Sequence, residues 1–310
     1  MGHLRFGPEE VEAFRVVTAV ESERAIGDST TGVPLPFTLD PSVIQTGTGV
    51  LNPIRDISRV ITVGTLQWKG VSSAGVTASY VAEATEATDA SPTLVQPTIT
   101  TAQGRAFVPF SIEVSQDWDG IEQELARLIV DARNVLDATK FLSGSGTNEP
   151  TGITTTLTTS QRVQTAGTAS YAVGDPWLLK AALPARFIGN TTFAANPATW
   201  DKTYRFVAQG STAEPRQFAN GDRGGDFVGR PKVEYSAMAS TTTTGTKLLI
   251  AGDFRTAYTI VDRLGMTAEL IPHLFGASNR YPTGQRGLYC YWRTGADVVA
   301  VNALRYLEVA

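Results

Sequence analysis

The stretch over residues 60–152 decides the fold, and it reads VITVGTLQWKG at 60–70, RAFVPFSIEVS at 105–115, IEQELARLIVDARNVLDATKFL at 121–142 and GSGTNEPTG at 144–152. Two alternating strand patterns flank an acidic tip that is rich in Ala and Thr, and a long amphipathic helix and a glycine turn follow. A hairpin arm of this length would reach beyond the domain that carries it. We therefore expect the arm to lie on another copy of the same protein.

The two strand patterns predict a hairpin. Along the outgoing strand, which a glycine at position 64 interrupts, one face carries Val60, Thr62, Leu66 and Trp68. On the return strand, the apolar positions that alternate with polar ones are Ala106, Val108, Phe110, Ile112 and Val114. Because Pro109 has no N–H to donate, this strand is predicted to run along a sheet edge or to carry a break. The acids of the tip are Glu83, Glu86 and Asp89.

A long helix is predicted over residues 119–142, and a rise of about 1.5 Å per residue gives it a length of roughly 36 Å. Asp119 and Glu122 have capping-box spacing at its start, and Gly144 follows its last turn. Its apolar stripe comprises Ile121, Leu125, Leu128, Ile129, Ala132, Val135, Leu136 and Thr139. Its other faces carry Arg127, Asp131, Arg133, Asp137 and Lys140.

The rest of the chain is predicted to contain an aperiodic arm, short helices and a series of strands. Residues 8–25 have the pattern of a short helix, and residues 27–53 form an aperiodic arm that needs a support to be ordered. Residues 151–170 are interpreted as extended surface structure. Helices are predicted to begin at Asp175-Pro176, with a bend or end at Pro184, and at Asn196-Pro197. A glycine-rich loop at 220–226 precedes strand candidates at 248–251, 258–261, 268–271, 288–292 and 297–302, with a polar loop at 275–286.

The composition favours a β-rich protein with much of its surface hidden in contacts. Of the 310 residues, 42% are hydrophobic and only 18% are charged, below the usual quarter of a soluble domain. A β protein that is merely rich in threonine is the alternative that composition leaves open. The net charge of −4 and the lack of a long basic run disfavour nucleic-acid recognition through phosphate neutralisation. A wall that only surrounds nucleic acid needs no basic patch.

The sequence offers no signal for a membrane or for export. No segment approaches the ~18 consecutive apolar residues that cross a bilayer. The first ten residues lack the charged-then-apolar layout of a signal peptide. We expect a protein that contacts no membrane and stays in a cytoplasm until it assembles.

The sequence also offers no enzyme signature. Its two histidines, His3 and His273, stand apart from each other, and its one cysteine, Cys290, lies in a run typical of a buried strand. Histidine catalysis, a cysteine nucleophile and a transition-metal site are therefore disfavoured. The glycines at 144 and 146 follow a helix and lack the Lys-Ser/Thr of a nucleotide loop. We predict no catalytic residue, no metal and no cofactor.

Several short motifs stand in an order that resembles one family. They are Gly47-Thr48-Gly49-Val50-Leu51-Asn52-Pro53, Tyr80-Val81-Ala82-Glu83, Val114-Ser115-Gln116-Asp117, Gly144-Ser145-Gly146 with Pro150, Gly152 and Ile153, Gly229-Arg230-Pro231-Lys232-Val233, and Gly252-Asp253-Phe254. Each is weak alone. In this order they make most of the chain similar to the tailed-phage major capsid proteins of the HK97 fold.

The resemblance implies an α+β, HK97-like capsid fold in which an N-terminal arm and an extended hairpin, the E-loop, lie over neighbouring subunits. A long spine helix, a P-domain and an A-domain complete it. The implied boundaries are 1–56 for the N-terminal arm, 57–116 for the E-loop hairpin and its flanking strands, 117–174 for the P-domain with the spine helix, 175–265 for the A-domain, and 266–310 for the P-domain strands and C-terminus.

The resemblance implies a subunit that self-assembles, as hexamers and pentamers, into an icosahedral phage head. The head would form in the host cytoplasm, become the virion capsid and enclose double-stranded DNA without sequence-specific binding. Portal, scaffolding and decoration proteins are the implied partners. Since the N-terminal scaffold domain of some relatives is absent, either a separate scaffolding protein exists or the chain is a processed form. Two alternatives stay open: an encapsulin-type nanocompartment shell, and a secreted β-rich binding module, which the missing signal peptide disfavours.

Some relatives join the E-loop to a neighbour through a Lys–Asn isopeptide bond, and this sequence departs from that pattern. No lysine lies between Gly70 and Ala138, and no acid near Cys290 suits the helper role, although Asn279 falls in a plausible loop. We expect non-covalent contacts instead, in which Glu83, Glu86 and Asp89 meet basic side chains of a neighbour. The candidate partners are Arg127, Arg133, Arg280 and Arg286. The alternative is that the acids only keep an exposed hairpin soluble.

Overall fold

The computed structural model describes residues 45–310 with gaps at Thr48, residues 87–88, Asp119 and residues 206–225. The predicted helix at 8–25, most of the predicted arm at 27–53 and nearly all of the glycine-rich loop at 220–226 lie outside the described residues. The described residues, from 45 onward, form one compact unit. The domain boundaries given above stay predictions.

A four-stranded sheet holds the strands that frame the hairpin arm. With strands and helices numbered in chain order, its spatial order is β1 (Arg59–Thr62), β12 (Tyr258–Ile271), β13 (Gln285–Val298) and β6 (Ala102–Ser111). β1 is parallel to β12, and the other neighbours are antiparallel. β6 lies at the edge, which confirms the position predicted from Pro109.

A six-stranded mixed sheet forms the second layer. Its spatial order is β7 (Arg162–Gln164), β14 (Leu304–Glu308), β11 (Lys247–Gly252), β8 (Thr192–Ala195), β10 (Arg230–Glu234) and β9 (Asp226–Phe227). Ile250 of β11 packs into one apolar core with Phe141, whereas Leu249 packs into another with Trp200. Because successive side chains of a strand point to opposite faces, this sheet is covered on both sides.

Two short antiparallel pairs complete the strands: β2 (Gln67–Lys69) with β5 (Thr98–Thr100), and β3 (Ser72–Ser73) with β4 (Leu94–Val95). The prediction of one outgoing strand face from Val60 to Trp68 is wrong. Residues 63–66 separate β1, which pairs with β12, from β2, which pairs with β5. The two segments therefore belong to different sheets, and no single alternation spans them.

The return strand ends earlier than its alternation predicts. β6 stops at Ser111, whose Oγ accepts a hydrogen bond from the Glu113 N–H at 3.2 Å. This bond caps α2 (Ile112–Asp117), so Ile112 and Val114 are helical and not extended. An alternating pattern does not register the capping hydroxyl that ends the strand.

The other helices are α1 (Ile54–Ile57), α3 (Ile121–Ser143), α4 (Ile153–Thr156), α5 (Asp175–Ala181), α6 (Ala185–Ile188), α7 (Pro197–Tyr204) and α8 (Phe254–Ala257), with 3-10 turns at Thr159–Gln161 and Val301–Ala303. The predicted break at Pro184 is confirmed, because α5 ends before it and α6 begins after it. The predicted start at Asn196 is confirmed too, since its side chain accepts from the Ala198 N–H at 2.9 Å. Residues 151–170, predicted to be extended, contain α4 and a 3-10 turn.

Helix α3 has 23 residues, which corresponds to about 35 Å, and it buries a different stripe from the predicted one. Its buried residues are Ile121, Ile129, Asp137, Ala138 and Phe141. Ala132, Leu136 and Thr139 are exposed instead. Asp137, predicted on an outer face, is only 4% exposed because it meets Arg55 of α1. The second half of the helix is therefore oriented by a charge and by Phe141.

The late strand predictions hold in part. The segments at 248–251 and 288–292 lie in β11 and β13, but the segments at 258–261 and 268–271 are one strand, β12. Two register shifts, on either side of Leu264, interrupt its alternation and make it read as two. The prediction at 297–302 is wrong after Val298, and β14 was not predicted.

Candidate functional site

The hairpin arm, which we define as residues 67–100, forms paired strands only near its base. Trp68 stands opposite Ile99, and Ser73 stands opposite Leu94. Ile99 is buried, and the Trp68 ring lies over Gly70, where a Cβ would come within 2.4 Å of it. The described residues between 74 and 93 form no strand. The outer part of the arm therefore has little internal packing.

Large apolar side chains are exposed along the arm. Six of them are at least half exposed: Val71, Val76, Tyr80, Val81, Leu94 and Val95. Isolated exposed apolar residues are normal on a soluble protein, but several of them on one arm with little internal packing favour an interaction surface. The geometry therefore makes the arm the best candidate for a contact surface.

The acids of the tip lie on this same exposed segment. Glu83 and Glu86 are exposed, and neither forms an ion pair within the described part of the chain. Asp89 accepts hydrogen bonds from the Ser91 N–H at 2.9 Å and from the Ser91 Oγ at 2.6 Å. These bonds lower the pKa of Asp89. Glu83 and Glu86 are thus available to a partner, whereas Asp89 already stabilises a local turn.

Three of the four arginines predicted as partners lie on the surface or near it. Arg127 pairs with Glu124 at 3.0 Å along helix α3. Arg280 is exposed in the loop after β12, as is Asn279. Arg286 contacts the Ser115 Oγ at 3.4 Å and keeps a buried Nε without a partner in the described residues. Contacts of these residues with a neighbouring subunit stay predictions.

Arg133 is engaged inside its own chain. It belongs to a charge cluster of Arg55, Arg133, Asp137 and Asp262. Arg55 lies 2.9 Å from Asp137 and 2.8 Å from Asp262, and Arg133 lies 3.6 Å from Asp137. Arg133 also stacks over the Trp292 ring at 5.4 Å. A partner role for Arg133 in a neighbour would have to compete with these contacts.

Burial and pairing act against each other in the charge cluster. Burial raises the pKa of Asp137 in spite of Arg55 and Arg133. For Asp262 burial also opposes ionisation, but hydrogen bonds from Arg55 and Thr294 keep its pKa below the ordinary value. Burial likewise opposes charge on Arg55, but Asp262 and Asp137 raise its pKa overall. The cluster joins α1, α3 and β12, which is a structural role.

The glycine turn after helix α3 is also structural. The Gly152 N–H donates to the Gly144 carbonyl at 2.9 Å, and a Cβ at Gly152 would lie 2.4 Å from the Gly144 nitrogen. The Glu149 carboxylate bridges the Lys140 Nζ at 2.5 Å and the Ser145 N–H at 2.7 Å. These contacts lower the pKa of Glu149 to about 2. The turn is thus closed on itself and does not form an open phosphate cradle.

The described residues bring no catalytic group together. Cys290 is fully buried, and burial raises the pKa of its thiol. His273 is exposed in the loop after β12, and His3 lies outside the described residues. Among the described residues there is no group of three or more His, Cys, Asp or Glu that could hold a metal ion. None of the described helices is long and apolar enough to cross a membrane.

Comparisons with known proteins agree on one kind of protein. A model described as the phage capsid family matches residues 31–309. A search of curated proteins found no match. Among solved structures, the capsid of a native GTA particle, computed with C5 symmetry, is 21% identical with a TM-score of 0.73, and the match covers 91% of this chain and 99% of that one.

Two phage structures are also similar. The structure from Mycobacterium phage Bobi is 14% identical with a TM-score of 0.66, over 92% of this chain and 99% of that chain. The structure from Mycobacterium phage Ogopogo is 16% identical with a TM-score of 0.63, over 92% of this chain and all of that chain. At these identities the similarity establishes the fold, and it confirms the predicted α+β architecture.

Proposed function

The chain belongs to the phage capsid family, and from this membership we propose that its copies build an icosahedral phage head around double-stranded DNA. The family is one of shell proteins, so the chain is a shell-forming major capsid protein of the virion, and the nanocompartment alternative is not favoured. We also propose that the subunit works without enzymatic chemistry and without a cofactor.

The observation that carries the proposal is the exposed apolar surface of the hairpin arm. Val71 and Leu94, near the base, are 72% and 65% exposed, and Tyr80 is fully exposed at the tip. Covering such side chains gains about 25 cal/mol for each Å² of apolar surface removed from water. In a closed shell each subunit makes many such contacts at once, so each contact can be weak.

We propose that the contacts between subunits are non-covalent. The arm has one lysine, Lys69, which lies in β2 far from the tip. Packing of apolar side chains and pairing of Glu83 and Glu86 with arginines of a neighbour would hold the arm instead. Arg127, Arg280 and Arg286 are the exposed or partly exposed candidates, and Asn279, next to Arg280 in the sequence, is a further one. Hexamers and pentamers of the subunit, and portal, scaffolding and decoration proteins, are the proposed partners.

The test is assembly of the purified protein. Electron microscopy and sedimentation should show closed particles for the unmodified chain. The variant E83K/E86K should give at least roughly tenfold fewer particles, because like charges are costly at a contact. Its circular dichroism should match that of the unmodified chain, since both side chains are exposed.

A matched control replaces two acids elsewhere on the surface. Glu122 and Asp131 are exposed on helix α3, and the variant E122K/D131K carries the same change of charge outside the arm. A chain that stays monomeric under all conditions would refute the shell. Normal particles from E83K/E86K would instead refute only the role of the tip acids.

A further inference from the structure

A groove of about 710 Å³ lies between the base of the hairpin arm and the body of the subunit. Ser73 and Val95 of the arm form one wall, and Phe187 of α6 and Val301 before β14 form the other. Pockets of about 300–1,000 Å³ accommodate ligands of several functional groups. The groove is therefore large enough to take several side chains of an extended segment.

The groove is apolar and basic. Val95 is 59% exposed, and Phe187 and Val301 are half-buried. Two arginines also line the groove, Arg186 and Arg305, and no carboxylate does. These walls favour an occupant that has apolar side chains next to negative charges.

The two arginines are not neutralised by the described part of the chain. Arg186 is exposed and forms no ion pair there. The Arg305 guanidinium donates through Nη1 to the carbonyls of Asn302 at 3.1 Å and Leu304 at 2.7 Å. Burial lowers the pKa of Arg305. A partly buried guanidinium that donates only to backbone carbonyls favours a carboxylate partner.

The tip of the hairpin arm has the complementary chemistry. Residues 70–104 contain three acids and no basic residue. Within residues 76–86, Tyr80 and Val81 are exposed apolar side chains, and Glu83 and Glu86 follow them closely. The tip thus combines apolar side chains with negative charges, and the groove combines apolar side chains with positive charges.

We propose that residues 76–86 of one copy bind the groove of a second copy, with Tyr80 and Val81 on the apolar walls. Glu83 and Glu86 would then face Arg186 and Arg305, in place of the candidate arginines outside the groove. A second copy is required, because the arm's own base forms a wall of the groove and its own tip is exposed. The donor and receiver surfaces differ, so each copy gives one tip and receives another, an arrangement that forms a ring where the rotation between copies closes. The proposal rests on the proposed shell function and specifies the partner surface.

Cross-linking tests the location of the tip. Assembled particles of the double variant Tyr80→Cys, Asn302→Cys are treated with a flexible bis-maleimide and run on a denaturing gel. Asn302 lines the groove and is exposed, so a ladder of covalently joined subunits is expected. Cys290 is buried and serves as the unmodified background.

The matched control pairs the same tip cysteine with the rival location. In Tyr80→Cys, Asn279→Cys, the second cysteine lies in the exposed loop after β12 beside Arg280. A ladder from Asn279→Cys and none from Asn302→Cys would overturn the groove proposal. Particles without either ladder would overturn it too, while leaving the shell function intact. Absence of particles from the unmodified chain would count against the shell function itself.

Charge exchange tests the pairing. The variant Arg186→Glu should lower particle yield by roughly tenfold, because a glutamate would then face the tip acids. Combining it with E83K/E86K should restore most of the yield. Arg255→Glu, at an exposed arginine outside the groove, should not be rescued by E83K/E86K. Equal behaviour of the two arginine variants would contradict the pairing.

Discussion

At the scale of residues, the charge cluster decides which face of helix α3 is buried. Asp137 is turned inward between Arg55 and Arg133 and is 4% exposed. A buried ion pair adds little net stability compared with an apolar pair, but removing one partner leaves an uncompensated charge. The cluster therefore fixes the orientation of the helix more than it strengthens the fold.

The variant Asp137→Asn should lower the free energy of unfolding by about 3 kcal/mol, because Arg55 and Arg133 lose the buried carboxylate that they share. Urea denaturation of the full chain measures the change. Asp131→Asn, an exposed position on the same helix, is the matched control and should stay within about 0.5 kcal/mol of the unmodified chain. Equal losses in the two variants would contradict a special role for the buried carboxylate.

Glu149 should make the stability of the glycine turn depend on acid. Its pKa is lowered from 4.5 to about 2 in the fold by Lys140 and the Ser145 N–H. A folded pKa below the unfolded one means that its stabilisation is present above pH 4.5 and is lost as the pH falls toward 2. Urea denaturation at several pH values across this window should show that the free energy of unfolding depends less on pH in Glu149→Gln than in the unmodified chain. Parallel curves would show that the bridge contributes nothing.

Part of the cluster was visible in the sequence. Arg133 and Asp137 stand four residues apart on a predicted helix, a spacing that pairs charges. Their partners Arg55 and Asp262 are separated by 207 residues. Periodicity assigns every aspartate to the outside, so burial of Asp137 could not be predicted without knowing that two arginines converge on it.

At the scale of elements, the glycine turn sets how the chain leaves helix α3. Gly144 and Gly152 approach so closely that a Cβ on Gly144 would lie 2.1 Å from the Pro150 carbonyl oxygen. The approach is between backbone atoms, which cannot move aside as a flexible side chain can. The two glycines are required by space rather than by backbone angles.

Gly152→Ala should therefore lower the free energy of unfolding by about 2 kcal/mol or more, since the new Cβ would meet backbone atoms of Ser143 and Gly144. Gly189→Ala is the matched control, because that glycine has helical angles and open space around it. It should be neutral or slightly stabilising. Thermal unfolding should give a lower melting temperature for Gly152→Ala than for Gly189→Ala. Equal melting temperatures would refute the steric argument.

Local signals predicted the elements better than alternation did. Pro109 marked an edge strand, and Pro184 marked the break between α5 and α6. Alternation failed where the ladder is irregular, as in β12 near Leu264, and where a hydroxyl ended β6 at Ser111. Proline acts through its own backbone, whereas a bulge depends on the strand opposite and a cap depends on the residues that follow it, such as Glu113 after Ser111.

At the scale of the whole molecule, the hairpin arm should exist in two conditions, uncovered in a free subunit and covered in a shell. A glutamate-specific protease should cut free subunits rapidly after Glu83 or Glu86, because both lie in exposed chain without a ladder. In assembled particles the same cuts should be at least roughly tenfold slower, which a time course on a gel measures. Equal cleavage rates would show that the shell leaves the tip uncovered.

The family could be predicted from the order of motifs along the chain, and the family model matching residues 31–309 agrees. Two of these motifs contain a glycine that lies close to another part of the backbone. A Cβ at Gly144 would lie 2.1 Å from the Pro150 carbonyl oxygen, and one at Gly252 would lie 2.0 Å from the Ala303 carbonyl oxygen. The partner of the arm could not be predicted in the same way. The groove proposed to receive it is lined by Val95, Arg186 and Arg305, which meet only after folding.

The parallel pairing of β1 with β12 bears on how the subunit is made. Residues 59–62 have no neighbour in the first sheet except residues 259–262. Chains emerge from the ribosome N-terminus first, and contacts between distant segments form late. Strand β1, which leads into the hairpin arm, is thus unpaired until residue 262 has been synthesised, and β6, which leads out of it, is unpaired until β13 has been synthesised. We therefore expect a nascent chain to lack the sheet that frames the hairpin arm until these distant strands have been made.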